Sequence, residues 1–182
     1  VFVMADVKKG IILKGIGGLY FVETADAVFE CKARGIFRKS GQKPLVGDEV
    51  DILIGEDGAN NTIEKIYPRR SELMRPPVAN LDRLFILSSV RDPNPSTLII
   101  DKMTAIACWK NIEPVIVITK DDLGDTSELR GIYEKAGIPF FSVSSRDGRG
   151  ADEVKAMLSG HISAFAGNTC LLYTSPSPRD RG

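Results

Sequence analysis

The stretch "VIVITKDDL", Val115 to Leu123, ends a short β-branched run in Thr119, Lys120, Asp121 and Asp122. A carboxylate in that position can accept the N1–H and the exocyclic N2 amine of a guanine together, as a bidentate charge-assisted pair, and Asp122 is placed to do so. The methylene stem of Lys120 can lie along the face of the base. A second stretch, "SVSSRDGRG", Ser142 to Gly150, carries Ser144 and Ser145, and a backbone N–H near Ser145 can donate to the guanine O6. Adenine has an amine where guanine has O6 and lacks the N2 amine, so it would leave the carboxylate poorly paired, and discrimination follows from that. Taken alone, Thr-Lys-Asp-Asp is also what a solvated turn at the start of a helix contains. The serine-rich loop one crossover later is what favours a nucleotide.

The elements that must hold these residues read as alternating strand and helix. "DRLFILSSV" is a continuous apolar strand, and "STLIIDKMTAIACWKN" places Ile99, Met103 and Ile106 on one helical face. "EPVIVIT" is a second buried strand. A helix is expected from about Thr126 to Ala136, with Asp125 and Glu128 at capping-box spacing and Gly137 and Pro139 ending it. "IPFFSVSS" is a third strand, "ADEVKAMLS" another helix and "HISAFAG" a fourth strand. Such alternation means right-handed crossovers and a parallel sheet with helices on its faces, and ligands bind outside the carboxyl ends of its strands. Trp109, near a helix end, is expected to pack against the sheet. His161, the single histidine, begins a strand and is given no catalytic role.

The first part of the chain is different. "GIILKGIGGLYFVET" enters and leaves a Gly-Gly turn, "AVFECKARGIFRKSG" alternates apolar with polar or basic residues, and "DEVDILIGEDGANNTIEKI" breaks at Asp57-Gly58. Short strands at close spacing predict a small β-barrel of the OB-like class over residues 5–67. "YPRRSELMRPPVANLD" has prolines at both ends and little periodicity, so residues 68–82 are read as a connection. Lys32, Arg34, Arg38, Lys39 and Lys43 supply positive charge without an acid, with Phe37 among them, and Arg69, Arg70 and Arg75 form a second cluster. Such side chains suit RNA phosphates, and an aromatic could stack on an unpaired base. A solvated hairpin face reads the same way, and Phe37 fits the core of an alternating strand better than a stacking platform.

Composition sets outer limits. The 182 residues are 43% hydrophobic and 26% charged, an ordinary globular balance. Lysine plus arginine equals aspartate plus glutamate, 24 each, so no global charge excess marks a nucleic-acid or membrane binder and any basic surface is local. The apolar runs are far shorter than the about 20 residues that span a bilayer. The opening "VFVMADVKKG" has its lysines after the apolar piece, the wrong order for a secretory signal, and Met4 is read as the start of translation. Cys31, Cys108 and Cys170 lack metal-ligand spacing and cannot all pair, which fits a reducing, cytoplasmic compartment.

In this order, "GIFRKSGQKPLVGDEVDI", "PRRSELMRPPVANLDRLFI", "VIVITKDDL" and "SVSSRDGRGADEV" closely resemble the bacterial circularly permuted GTPases known as ribosome small subunit-dependent GTPase A, over roughly residues 5–169. Thr119 stands where the general Asn-Lys-x-Asp pattern has asparagine, and the family tolerates threonine there. The resemblance implies GTP and Mg2+ as ligands, hydrolysis of GTP, and action in late maturation of the small (30S) ribosomal subunit. It also implies 16S rRNA as partner, no membrane partner and a monomer. It further implies an incomplete α/β, permuted P-loop domain over residues 83–169, in which the base-reading segments precede the phosphate loop. Gly167 would be the first glycine of that loop, with Asn168 and Thr169 next.

The loop's lysine, the magnesium ligands and the family's zinc-binding cysteines and histidine are not found after Thr169, where the sequence reads "CLLYTSPSPRDRG". Cys170 to Asp180 is what translation of a transposase-type sequencing adapter yields, so residues 170–182 are read as non-native. No residue catalytic in hydrolysis can then be named, and the chain as written is expected not to hydrolyse GTP. Two other readings stand beside this one. One is a non-catalytic OB-fold RNA-binding module, with RNA affinity indifferent to guanine nucleotide. The other is a doubly wound enzyme using a different nucleotide.

Overall fold

The computed structural model describes residues 6–39, 41–55, 60–74 and 76–167, without the side chains of Arg38 and Lys39. Met4, Arg75, Asn168, Thr169 and the segment 170–182 lie outside the described residues. The chain divides into two compact units, Val1–Asn80 and Leu81–Gly182.

The first unit is built on a closed five-stranded barrel of β1 (Val7–Ile16), β2 (Leu19–Thr24), β3 (Val28–Ala33), β4 (Glu49–Leu53) and β5 (Asn61–Ile66), in the order β1-β2-β3-β5-β4. Gly17 and Gly18, both at positive φ (59° and 89°), make the two-residue turn that brings Ile16 opposite Leu19. That turn needs φ > 0 at both positions, which glycine reaches without steric cost. Alternate residues point inward, so Ile12, Tyr20, Val22, Cys31, Val50, Ile52 and Ile63 form the core. Phe37 joins them, as expected, but not from a strand. "GIFRK" is a short helix, α1 (Gly35–Lys39), which ends the alternation two residues after β3.

Within the segment 68–82, read above as a connection, lies a hairpin of β6 (Glu72–Met74) and β7 (Pro77–Ala79), in which Pro77 opens the second strand opposite Met74. It is tied to the barrel unit through a bridge between Val46 and Val78 and through the Ala79 N–H, which donates to the Val46 carbonyl at 2.8 Å. The unit boundary therefore falls at Asn80, after the hairpin.

The second unit is the expected parallel sheet. β8 (Arg83–Ser89), β9 (Glu113–Thr119), β10 (Phe140–Val143) and β11 (Ser163–Gly167) lie in the order β10-β9-β8-β11, joined by α2 (Thr97–Trp109), α3 (Ser127–Lys135) and α4 (Ala151–Leu158). β9 is central and is buried from Pro114 to Ile118 on both faces, which is why it reads as one unbroken apolar run. On one face Val154, Met157 and Leu158 of α4 pack on Phe85, Val115 and Val117. Against the other lies α2, which buries Ile100, Thr104 and Ala107.

That buried stripe is displaced from the expected one: Ile99 and Ile106 are exposed, and Trp109 is 77% exposed, not packed on the sheet, with the Lys110 ammonium 4.6 Å from its ring. Helical spacing marks both stripes equally well, and the register of α2 on the sheet selects the one with the small residues Thr104 and Ala107, which allow close approach. The capping box also fails to form. Thr126 is the N-cap of α3, and the Asp125 carboxylate accepts from the Ser127 N–H at 2.9 Å in a local turn, its pKa lowered by the Ser127 hydroxyl and N–H.

Candidate guanine-nucleotide site

All four strands of the second sheet run the same way, so their carboxyl ends form one edge. Ser89, Thr119 and Val143 sit side by side there, in register across β8, β9 and β10, and Gly167 pairs with Leu87 on the other side of β8. The candidate residues that follow Thr119 and the Gly167 end of β11 thus leave the sheet at the same edge, separated by the width of one strand.

At the end of β9, the Thr119 hydroxyl donates to the Ser88 carbonyl at 3.1 Å and the Val90 N–H donates to the Thr119 carbonyl at 3.0 Å, fastening the two strand ends together. Lys120 then takes a left-handed conformation, φ 59° and ψ 39°, uncommon for a residue with a side chain. The chain thereby turns into the 3₁₀ segment Asp121–Leu123. The Lys120 ammonium donates to the Asp92 carbonyl at 2.5 Å. Asp122 is exposed at the edge.

Following β10, Ser144 is buried (2% exposed) and its hydroxyl donates to Asp122 Oδ1 at 3.1 Å. The Ser144 N–H donates to the Arg149 carbonyl at 3.1 Å, and the Ser144 carbonyl accepts from the Gly148 N–H at 3.0 Å, closing residues 144–149 into a compact loop. Gly150 ends it at φ 74°, where a side chain would meet the Ser142 carbonyl. Ser145 is exposed on the loop. Thr119, Lys120, Asp122, Ser144 and Ser145 are therefore brought to one place, with Oδ1 of the exposed Asp122 carboxylate held by the Ser144 hydroxyl.

Two residues that sequence reasoning did not single out complete the arrangement. Asp121 Oδ2 accepts from Arg149 Nη1 at 3.2 Å, and its Oδ1 accepts from the buried Thr126 hydroxyl at 3.4 Å. Arg149 also donates to Asp147, at 2.9 Å, and the Asp147 carboxyl is held below its usual range first by the Arg149 N–H. Both Asp121 and Arg149 lie inside the two quoted stretches, but their separation of 28 residues hides the pairing.

The basic residues of the first unit fare unevenly. Lys32 is exposed on the outward side of β3, and Lys43 is exposed. Arg34 is ion-paired with Glu64. Arg69, only 15% exposed, is committed to Asp48, to Glu72 and to the Lys43 carbonyl, and Arg70 Nη2 reaches back to the Asn80 carbonyl at 3.4 Å. The arginine pair is thus engaged within the unit, because Asp48, Glu72 and the Lys43 and Asn80 carbonyls bring acceptors to it. The side chains of Arg38 and Lys39, and Arg75 altogether, fall outside the described residues. Lysines of β1 that sequence reasoning passed over sit beside aromatic rings, Lys14 at 5.8 Å from Phe21 and Lys9 at 4.7 Å from Tyr67. His161 is exposed, with Nδ1 near the Ser159 carbonyl. Among the described residues no group of three or more His, Cys, Asp or Glu side chains could hold a metal ion, and no helix is long and apolar enough to cross a membrane.

Comparison with known proteins agrees with this fold. Residues 9–60 match the RsgA N-terminal domain and residues 66–171 match the RsgA GTPase. The chain is 43% identical over 163 residues to the small ribosomal subunit biogenesis GTPase RsgA of Alkaliphilus metalliredigens, covering 87% of this chain and 56% of that protein. It is 42% identical to the protein of the same name from Ruminiclostridium cellulolyticum, covering 88% of this chain and 54% of that one. The crystal structure of YjeQ from Thermotoga maritima superposes with a TM-score of 0.77 at 33% identity, over 90% of this chain and 61% of that one. YloQ, described as a circularly permuted GTPase, gives 0.78 at 28% identity, over 93% of this chain and 62% of that one. The chain spans about half the length of the curated relatives it matches. With a closed barrel followed by a parallel sheet, and with a family match over more than half of its residues, this chain belongs to the RsgA GTPase family.

Proposed function

We propose that this chain forms the RNA-binding and guanine-reading part of a GTP-hydrolysing factor that acts in the cytoplasm on the 30S subunit late in its maturation. The observation that carries the guanine reading is the buried Ser144 hydroxyl bound to one oxygen of the exposed Asp122 carboxylate, at the sheet edge where Gly167 also emerges. A carboxylate fixed on one side and open on the other suits a base that offers two donors. Lys120 would cover the base with its stem, and a backbone N–H at Ser145 would meet O6.

GTP and Mg2+ are the expected ligands. The phosphate-loop lysine, the hydroxyl that would bind magnesium, and the zinc ligands of the whole family protein have no counterpart in this sequence after Gly167. The role of this sequence's own residues in the reaction is to hold and select the base. The first unit, an OB-like barrel, would contact 16S rRNA through Lys32 and Lys43, with Arg38, Lys39 and Arg75 as further candidates, the whole protein acting as a monomer. Arg34, Arg69 and Arg70 contribute less, because acids and carbonyls of the unit already hold them.

The test is equilibrium binding of GTP and ATP to the full-length protein with its phosphate loop. Preference for GTP is expected, and Asp122→Ala should reduce it by on the order of a hundredfold, the worth of two hydrogen bonds to a charged group. Equal affinity for the two nucleotides in the unsubstituted protein would support an enzyme using another nucleotide. Salt-sensitive RNA binding without nucleotide binding would support a non-catalytic RNA-binding module.

A further inference from the structure

We propose that Arg149 is a positioning residue for guanine selection, acting through Asp121 as a clasp between the two base-reading segments; the inference rests on the guanine reading above. The two segments leave neighbouring strands, β9 and β10, and two side-chain links join them at their tips. One is the Ser144 hydroxyl on Asp122, at 3.1 Å. The other is Arg149 Nη1 on Asp121 Oδ2, at 3.2 Å.

Asp121 and Asp122 are consecutive on a short 3₁₀ segment, so anchoring the Asp121 side chain fixes the backbone from which Asp122 projects. Asp121 is only 15% exposed and is held at both oxygens, by Thr126 and by Arg149, whereas Asp122 is exposed. The Thr126 hydroxyl also meets the Ser142 hydroxyl at 2.9 Å, so the anchor reaches back into β10. Arg149 is itself fixed from the loop side, by its own N–H and its Nη2 on the Asp147 carboxylate and by its carbonyl on the Ser144 N–H.

Two consequences follow for the base. The Arg149 charge is shared between Asp121 and Asp147, which reduces the negative charge beside Asp122. The clasp also sets the angle at which Asp122 meets N1 and the N2 amine, and bidentate pairing is sensitive to that angle in a way that a single hydrogen bond is not. Arg149 touches no base and takes part in no bond making.

The experiment uses the full-length protein and compares its affinity for GDP with that for inosine diphosphate, which lacks the 2-amine and so reads the second half of the bidentate pair. Arg149→Ala should weaken GDP binding about fivefold, near the upper end for an exposed ion pair, and most of that loss should fall on the GDP-to-IDP ratio. Asp121→Asn should lower the same ratio, and Arg149→Lys, which keeps the charge without the fork, should fall between. A variant that merely loosened the fold would weaken GDP and IDP alike, so an unchanged ratio in both Arg149→Ala and Asp121→Asn overturns the clasp. An unsubstituted protein that binds GDP and ADP equally overturns the guanine reading, and the clasp with it.

Discussion

Arg69 donates to the Asp48 carboxylate with both Nε and Nη2, at 2.7 and 2.8 Å, and Asp48 is fully buried. The carboxylate accepts a third bond from the Leu45 N–H at 2.7 Å, and the same guanidinium reaches Glu72 on β6 at 3.0 Å. The hydrogen bonds to Asp48 are the main cause that strengthens the hold of Arg69 on its proton. Removing the cation strands a charge away from water. Arg69→Ala should therefore destabilise the protein by about 3–5 kcal/mol in urea denaturation, and Arg69→Lys by less, since lysine cannot make the two-pronged contact. A loss below about 0.5 kcal/mol, the level of an ordinary surface position, would refute the pairing.

On the opposite side of the molecule's chemistry stands a neutral donor. The Tyr133 hydroxyl of α3 donates to Asp101 of α2 at 2.8 Å, and burial first, then that hydrogen bond, raises the phenol pKa above its ordinary value. A folded-state pKa above the unfolded one means the unfolded chain releases its proton first as pH rises. The contribution to stability is thus complete below about pH 10 and declines above it. Urea midpoints measured between pH 8 and pH 11 should fall more steeply in the unsubstituted protein than in Tyr133→Phe, which itself should cost about 1 kcal/mol at neutral pH. Parallel slopes would show that Tyr133 does not titrate differently in the two states.

RNA binding by the barrel can be separated from its architecture. Lys32 and Lys43 are exposed, while Arg69 is committed internally. Replacing both lysines by alanine should weaken binding to 16S rRNA fragments regardless of sequence. It should also lower the slope of log affinity against log salt by about 1.5, near the value for two lost phosphate contacts. Arg69→Lys should leave that slope alone. An unaltered slope in the double lysine variant would move the RNA face elsewhere on the barrel, with Lys14 beside Phe21 the next place to test.

Much of the second unit was legible in sequence because its signals are local. The run from Pro114 to Ile118 is apolar since both faces of β9 are covered, and a strand so read must be central. The corner at Thr119, Lys120 and Asp122 was legible for the same reason, lying where that run stops. What stayed hidden depends on partners distant in the chain. Ile99, Met103 and Ile106 keep helical spacing as well as Ile100, Thr104 and Ala107 do, and only docking decides between them. The exposed Trp109 belongs to the same misreading. Strands of three residues, as in β6 and β7, are too short to show a period, and the partner of Arg69 lies 21 residues earlier.

The hydrogen bonds that shape the corner after β9 span a single stretch, from Ser88, which receives the Thr119 hydroxyl, to Arg149, which holds Asp121. A polypeptide leaving a translating ribosome emerges from its amino end, and domains organise as their residues arrive. Every group of the corner has therefore been made by the time Gly150 appears, ahead of Gly167 and anything that follows it. Under the guanine reading proposed above, the newborn protein acquires its means of recognising the base before its means of gripping the phosphates.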